Sequence, residues 1–216
     1  MAGDLEKPGV NHWAVVSYAS CFLQAGSPGD YFNYQRAVAD QMLGRVFQEK
    51  LGIVYGRDKL KKGTYGKPYW AGEGDVFFNI SNTKGMVACV VSDVEVGIDT
   101  EKIKEARISV LRRCCAPEEI SYILKESRDA LIQERFFQIW TLKECYIKMI
   151  GEGLHFPLKQ AVFSIGEEGA PYPKVSCSQP GMFCQRKVGG YWISLCAQKE
   201  AEVTWQEPVR FPSIDG

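Results

Sequence analysis

The sequence predicts an α+β protein of two α+β subdomains packed face to face, each with a small antiparallel sheet and packed helices. Three observations carry that prediction. Runs with helical spacing of apolar residues alternate with short runs rich in β-branched and aromatic residues. Short polar links join neighbouring strand-like runs, which favours antiparallel pairing. Each half of the chain offers a helical section followed by short strands. We divide the chain into residues 1–100 and 101–216, with the link through Asp99 to Glu101 crossing between them; at 216 residues two small, intimately packed units are favoured over two independent domains.

Residues 10–19 (VNHWAVVSYA) read as a first strand and residues 24–30 as a turn. Residues 31–50 repeat Phe32, Val38, Met42, Leu43, Val46 and Phe47 at helical spacing, with Gly52 as the stop. Arg36 lies near the start of that helix, where the macrodipole favours a nearby anion; in isolation it is an ordinary surface arginine. A short charged stretch, RDKLKK at residues 57–62, leads into a glycine- and proline-punctuated loop at residues 63–74. Lys67 precedes Pro68 and is biased to an extended backbone that presents its side chain outward. Tyr65, Tyr69 and Trp70 either flank a planar ligand or pin the loop.

Residues 76–81, 86–91 and 94–99 predict an antiparallel meander of three strands. On the last of them Asp99 and Glu101 are two apart and so point to the same side. They are free surface acids or two carboxylates sharing a cation. Helices are predicted at residues 108–114 and 117–124, the latter opened by Pro117, and from residue 129 onward. Strands return at residues 161–165, at Val175, and at residues 182–188 and 191–197, the last two forming a hairpin at Gly189 and Gly190. Residues 206–216 are polar and proline-punctuated, a loosely held tail.

The strongest helical run covers residues 136–153, FFQIWTLKECYIKMIGEG. At about 100° per residue, Phe136, Ile139, Trp140, Ile147 and Ile150 form an apolar stripe, and Phe137, Thr141, Glu144 and Lys148 form a second. Glu144 and Lys148, four apart, make either an exposed ion pair or part of a site for a polyanion and its metal ion. Lys143 falls inside the apolar stripe, so its ammonium must reach water, an anion or a carboxylate at the stripe's edge.

Composition narrows the function classes. A formal net charge of zero, from 26 basic and 26 acidic residues, argues against a nucleic-acid binder that works through a global positive field. No apolar stretch approaches the roughly 20 residues of a membrane span, and the N-terminal residues lack a signal core, so a cytoplasmic protein with no membrane partner is expected. The eight cysteines and two histidines show no zinc-ligand spacing and read as reduced thiols.

Taken together, VGIDTEK at residues 96–102, WTLKECYIK at residues 140–148 followed by GEGL, YGKP at residues 65–68 and FNIS at residues 78–81 resemble the paired signatures of the 4'-phosphopantetheinyl transferase superfamily. The larger single-chain class, the surfactin-synthetase-activating type, is the close match. The resemblance implies a pseudo-twofold pair of α+β halves with the active site in the cleft between them. It implies that Asp99, Glu101 and Glu144 are magnesium-site carboxylates and that Lys143 and Lys148 contact phosphate. By the same resemblance Arg36, Lys67, Pro68, Ser81 and Asn82 stand around the nucleotide end of coenzyme A. Asn82 replaces a histidine of many members and cannot become cationic.

The implied reaction is magnesium-dependent transfer of 4'-phosphopantetheine from coenzyme A to a serine of an apo acyl or peptidyl carrier protein, releasing 3',5'-adenosine bisphosphate, by a chain acting as a monomer. Asp99, Glu144 and Lys148 are the catalytic candidates, Glu144 as metal ligand, as base for the serine hydroxyl, or both. An acidic, helical carrier suits the surface near Arg112 and Arg113, with the apolar residues at 120–124 and 153–158. The alternatives are a non-catalytic coenzyme A-binding homologue and a magnesium-dependent phosphohydrolase that uses the same acids on water.

Overall fold

The computed structural model describes residues 12–21, 27–106, 108–125, 127–166 and 172–209. The chain runs β1 (Trp13–Cys21), α1 (Pro28–Leu51), β2 (Leu60–Lys62), β3 (Pro68–Trp70), β4 (Phe77–Thr83), β5 (Gly85–Ser92) and β6 (Val96–Lys102). It continues through α2 (Ile108–Cys114), α3 (Pro117–Leu124), α4 (Asp129–Ile150), β7 (Phe163–Gly166), β8 (Lys174–Cys177), β9 (Met182–Val188), β10 (Tyr191–Ala197) and β11 (Glu202–Trp205). The fold is α+β, as the sequence predicts.

Alternation along the strands explains the layers. In β1, Val15, Ala19 and Cys21 pack on α1, while Ala14, Val16 and Tyr18 point the other way. In β5, Val87, Cys89 and Val91 face α1, and Met86, Ala88 and Val90 join the opposite set. That set meets Ile193, Leu195 and Ala197 of β10 and Val96 and Ile98 of β6, whereas Trp192 and Cys196 of β10 face α4. The layers are therefore α1, a four-stranded sheet, a three-stranded sheet and α4. A sheet covered on both faces needs apolar residues at nearly every position, which is why β5 reads GMVACVVS and is buried throughout.

The four-stranded sheet has the order β11-β1-β5-β4 and the three-stranded sheet β6-β10-β9. The expected three-strand meander is corrected: β4 and β5 form a hairpin, but β6 leaves to pair with β10 in the other sheet. β11, not among the expected strands, runs parallel to β1 with Trp13 opposite Glu202. The tail expected to be loose is held along its first part, since the Gln206 and Val209 amides donate to the Val16 and Tyr18 carbonyls. Residues 210–216 lie outside the described residues, as do residues 10–11 of the first predicted strand and residues 24–26 of the predicted turn.

Helix α1 begins earlier than expected because Ser27 caps it reciprocally with Asp30 and Pro28 occupies its first turn. Helix α4 is buried on nearly every side rather than along one stripe, between the three-stranded sheet and α3. Gly97 makes that packing possible. A Cβ there would run into the Cys145 carbonyl and the Met149 amide, so only glycine lets β6 lie directly against the α4 backbone.

Candidate active site

The site forms where β4, β6 and α4 meet, and β4 builds it by an unusual seam. Its residues 79, 81 and 83 share one face and replace a backbone ladder to β6. The Asn79 Oδ1 accepts from the Ile98 amide at 3.0 Å, the Ser81 Oγ from the Thr100 amide at 3.2 Å, and the Thr83 hydroxyl donates to a Glu101 carboxylate oxygen at 3.2 Å. This seam fixes where Asp99 and Glu101 point.

Three of the candidate residues close into one knot. The Lys148 ammonium donates to Asp99 Oδ1 at 2.6 Å and to Ser81 Oγ at 2.9 Å, and the Ser81 hydroxyl donates to the same Asp99 oxygen at 2.8 Å. Lys148 thus reaches across to β6 instead of forming the simple helical pair with Glu144. The other Asp99 oxygen, Oδ2, is buried and has no partner. A buried carboxylate oxygen left unpaired is costly, so Oδ2 is open to a water, an ion or a ligand group.

Glu144 stands on the same side of α4. Burial, then the Asp99 charge, push its carboxyl up to about 7, Lys148 opposing and Glu101 adding to the rise. Glu101 is also raised, by burial and then by Asp99. The acids therefore sense one another, with the Lys148 ammonium at Asp99 and the Lys104 ammonium 3.9 Å from Glu101. Among the described residues no three His, Cys, Asp or Glu side chains are gathered closely enough to hold a metal ion. The side chains present offer what a hard divalent cation takes, carboxylate oxygens only, one of them buried and unpartnered.

Two lysines require correction. Lys143 is no phosphate contact here: its side chain is 0% exposed and pairs with the equally buried Glu119 at 2.8 Å. Its remaining donors go to the Leu158 and Ala161 carbonyls at 3.0 and 2.6 Å. With three donors and three partners, nothing is left for a ligand. Lys67 is likewise committed, to a Glu95 carboxylate oxygen at 2.6 Å, the Met149 carbonyl at 2.8 Å and the Val96 carbonyl at 3.3 Å. It caps the C-terminal end of α4, where a cation is favourable, just before Gly151 ends the helix with φ 76°.

Of the five nucleotide candidates, Ser81 belongs to the knot and Lys67 to the end of α4, and the other three gather at a separate cavity. Arg36, Pro68 and Asn82 line a cavity of about 450 Å³ together with Arg57, Lys61 and Lys62. Asn82 is oriented by a hydrogen bond from its amide to the Gln35 side-chain oxygen at 3.1 Å. The charged run at residues 57–62 was the available signal for Arg57, Lys61 and Lys62, which sequence reasoning left unassigned. A second cavity of about 310 Å³ holds Glu144 and Lys148 and shares Pro68 and Ile80 with the first. Asn79, Thr83 and Glu119 were also missed. Asn79 sits inside the FNIS motif, and Glu119 at the third position of α3 makes a hydrogen bond back to the Ala116 amide at 2.7 Å.

Comparison with known proteins gives a consistent picture. The family model of the 4'-phosphopantetheinyl transferase superfamily matches residues 95–196. A 4'-phosphopantetheinyl transferase of Aneurinibacillus migulanus, gsp, is 30% identical over 165 residues, covering 76% of this chain and 68% of the relative. A 4'-phosphopantetheinyl transferase of Bacillus subtilis is 34% identical over 105 residues, covering 49% of this chain and 46% of the relative. The Sfp transferase of Bacillus subtilis strain 168 is 31% identical over 139 residues, covering 62% and 60%. Against the last two, the matched stretch spans less than two thirds of the relative's own length.

Proposed function

The chain belongs to the 4'-phosphopantetheinyl transferase superfamily, and from that premise we propose that it moves 4'-phosphopantetheine from coenzyme A to a serine of an apo carrier protein. The observation that carries this reading is the Ser81, Asp99 and Lys148 knot, with an unpartnered buried Asp99 oxygen and Glu144 raised to about 7 beside it.

In this mechanism Lys148 turns its ammonium, a mobile point charge on a flexible stem, to the pyrophosphate of coenzyme A. Arg36, Lys61 and Lys62 line the cavity suited to the bisphosphate end, beside Arg57, which pairs with Asp40. The carrier serine oxygen attacks the phosphorus on the pantetheine side, forming a new P–O bond. The bond from that phosphorus to the bridging oxygen breaks, and 3',5'-adenosine bisphosphate departs. The serine proton passes to Glu144, the carboxylate that stands beside the knot on α4 and is the base of this reading. Magnesium is the cofactor of this reading; Asp99, Glu101 and Glu144 would hold it, and it supplies charge withdrawal from phosphate oxygens.

We place the reaction in the cytoplasm and the enzyme as a monomer. All eight cysteines are free thiols, and among the described residues no helix is long and apolar enough to cross a membrane. Val110 is exposed on the helix that carries Arg112 and Arg113, a surface that suits an acidic helical carrier.

The test is incubation with coenzyme A, magnesium and an apo carrier protein, followed by intact mass measurement. The carrier should gain one phosphopantetheine group. An unmodified carrier with intact coenzyme A would point to a binding homologue, and hydrolysed coenzyme A to a phosphohydrolase. Glu144→Gln should abolish transfer while coenzyme A binding, followed by calorimetry, survives; near-normal turnover would remove Glu144 from the mechanism.

A further inference from the structure

Two thiols that the reaction does not use stand side by side at the C-terminal end of α2. Adjacent residues inside a helix point about 100° apart, so Cys114 and Cys115 would turn away from each other if α2 continued. It ends at Cys114, and α3 opens at Pro117. In that break the two sulfurs come within 3.6 Å of each other. The Cys114 thiol donates to the Val110 carbonyl at 3.1 Å, which leaves its sulfur to accept the Cys115 proton.

The spacing selects what can join these sulfurs. Neighbouring Cα atoms lie about 3.8 Å apart, short of the roughly 4.4–6.8 Å that a disulfide spans, so direct closure is disfavoured. One atom inserted between the sulfurs fits. With bonds of about 2.3 Å, the length of a zinc–thiolate bond, such an atom spans 3.6 Å at an angle of about 100°. A linear two-coordinate ion with the same bonds needs sulfurs about 4.6 Å apart. Zinc takes four ligands in a structural site, and among the described residues no three His, Cys, Asp or Glu side chains are gathered closely enough to hold a metal ion. What fits is a pyramidal, trivalent, thiophilic centre that brings its third group with it.

Charge and cover suit such an occupant. The Cys114 thiol lies below the ordinary range, first through its hydrogen bond with Cys115; burial opposes this and the Lys143 charge adds to it. Cys115 is pushed up by the same bond and then by burial. The pair thus offers one readily formed thiolate beside one retained proton. Cys114 and Cys115 are 2% and 1% exposed, but the neighbouring Arg113 and Pro117 are exposed. The cover is also thin: α2 has seven residues, fewer than the roughly 12–15 at which an isolated helix is even marginally stable, and local opening of such a segment admits a small reagent.

We propose that Cys114 and Cys115 form a dithiol site for a trivalent arsenical. In the binding step each sulfur forms a bond to arsenic, the arsenic–oxygen bond of the free reagent breaks, and both thiol protons leave on that oxygen as water. No electrons are exchanged, and the arsenic stays trivalent. The site stands independently of the transferase reading.

The test treats the unaltered full chain with one equivalent of phenylarsine oxide, removes free reagent by gel filtration, and reads intact mass and thiol content. One phenylarsine group should remain, its mass gain reduced by one water, and two fewer of the eight thiols should titrate. After tryptic digestion the arsenic should sit on residues 114–125, CCAPEEISYILK, which hold no other cysteine. Cys114→Ser and Cys115→Ser should each weaken retention about 10²-fold or more, because a single thiol lacks the gain from the second, with the near-ultraviolet circular dichroism unchanged. Dimercaptopropanol should strip the adduct where the same thiol concentration of mercaptoethanol does not. Absence of an adduct, one thiol consumed per arsenic, arsenic recovered on other peptides, or equal retention by both serine variants would overturn the site. The peptide mapping on the unaltered chain decides the matter even if a variant fails to fold.

Discussion

Helix α4 carries two lysine–carboxylate pairs, Lys143 with Glu119 and Lys148 with Asp99, about 140° apart around its axis at 100° per residue. On the Lys143 side every group is satisfied: three acceptors take the ammonium, and the Glu119 oxygens also accept from the Ala116 and Phe163 amides. On the Lys148 side the lysine side chain is 29% exposed and Asp99 Oδ2 is orphaned. The two pairs are chemically alike, and the difference lies in completeness. A saturated pair is part of the scaffold, whereas a pair with a deficit is arranged around something that arrives later.

The comparison breaks most visibly at the saturated pair. Lys143→Met leaves a buried carboxylate without its counter-ion, and the expected loss is about 3–5 kcal/mol of stability, measured by denaturant unfolding. The folded fraction should keep its KM for coenzyme A; a raised KM would restore Lys143 as a phosphate contact. Lys148→Ala should do the reverse, lowering kcat about 10²–10³-fold with a much smaller change in the unfolding midpoint. Gly97→Ala forces β6 away from α4 and should cost about 1–3 kcal/mol, the usual range for overpacking. It should also lower kcat, because Asp99 lies two residues along the displaced strand.

The smallest effect is a pH slope. With its carboxyl pushed up to about 7, Glu144 keeps a proton in the folded chain that the unfolded chain has already released. Stability should therefore fall as pH rises from the ordinary carboxyl range to about 7 and level off above it. Glu101, raised by the same causes, adds to the slope in the same sense. Thermal melts in the presence of a chelator should show this fall, and Glu144→Gln should flatten it. A slope that survives in that variant would assign the titration elsewhere.

How far these features could be read from the sequence depends on how local their causes are. Helix α1 was legible because Val38, Met42 and Phe47 repeat along one segment, and β5 because a doubly covered strand is apolar throughout. Lys143 was legible only as a charge in an apolar stripe, since its partner Glu119 belongs to another helix and nothing local announces it. The meander failed at β6 because short links favour neighbouring strands, whereas here Asn79, Ser81 and Thr83 join β4 to β6 through side chains. Four residues, EVTW, between polar segments carry too little pattern to reveal β11. Lys67 was legible as outward-facing but not as the cap of a helix whose end lies far along the chain.

The pairing of β11 with β1 also has a consequence in time. Trp13 to Val16 find their parallel partners only at Glu202 to Trp205, so on the ribosome that edge of the first-made sheet stays open until residue 205 has been made. Contacts so distant in sequence slow folding, and an unpaired strand edge is a template for pairing with other chains. The growing chain is therefore exposed to self-association for most of its synthesis, and a nascent chain stalled before residue 202 should be far more prone to aggregate than one released after residue 209.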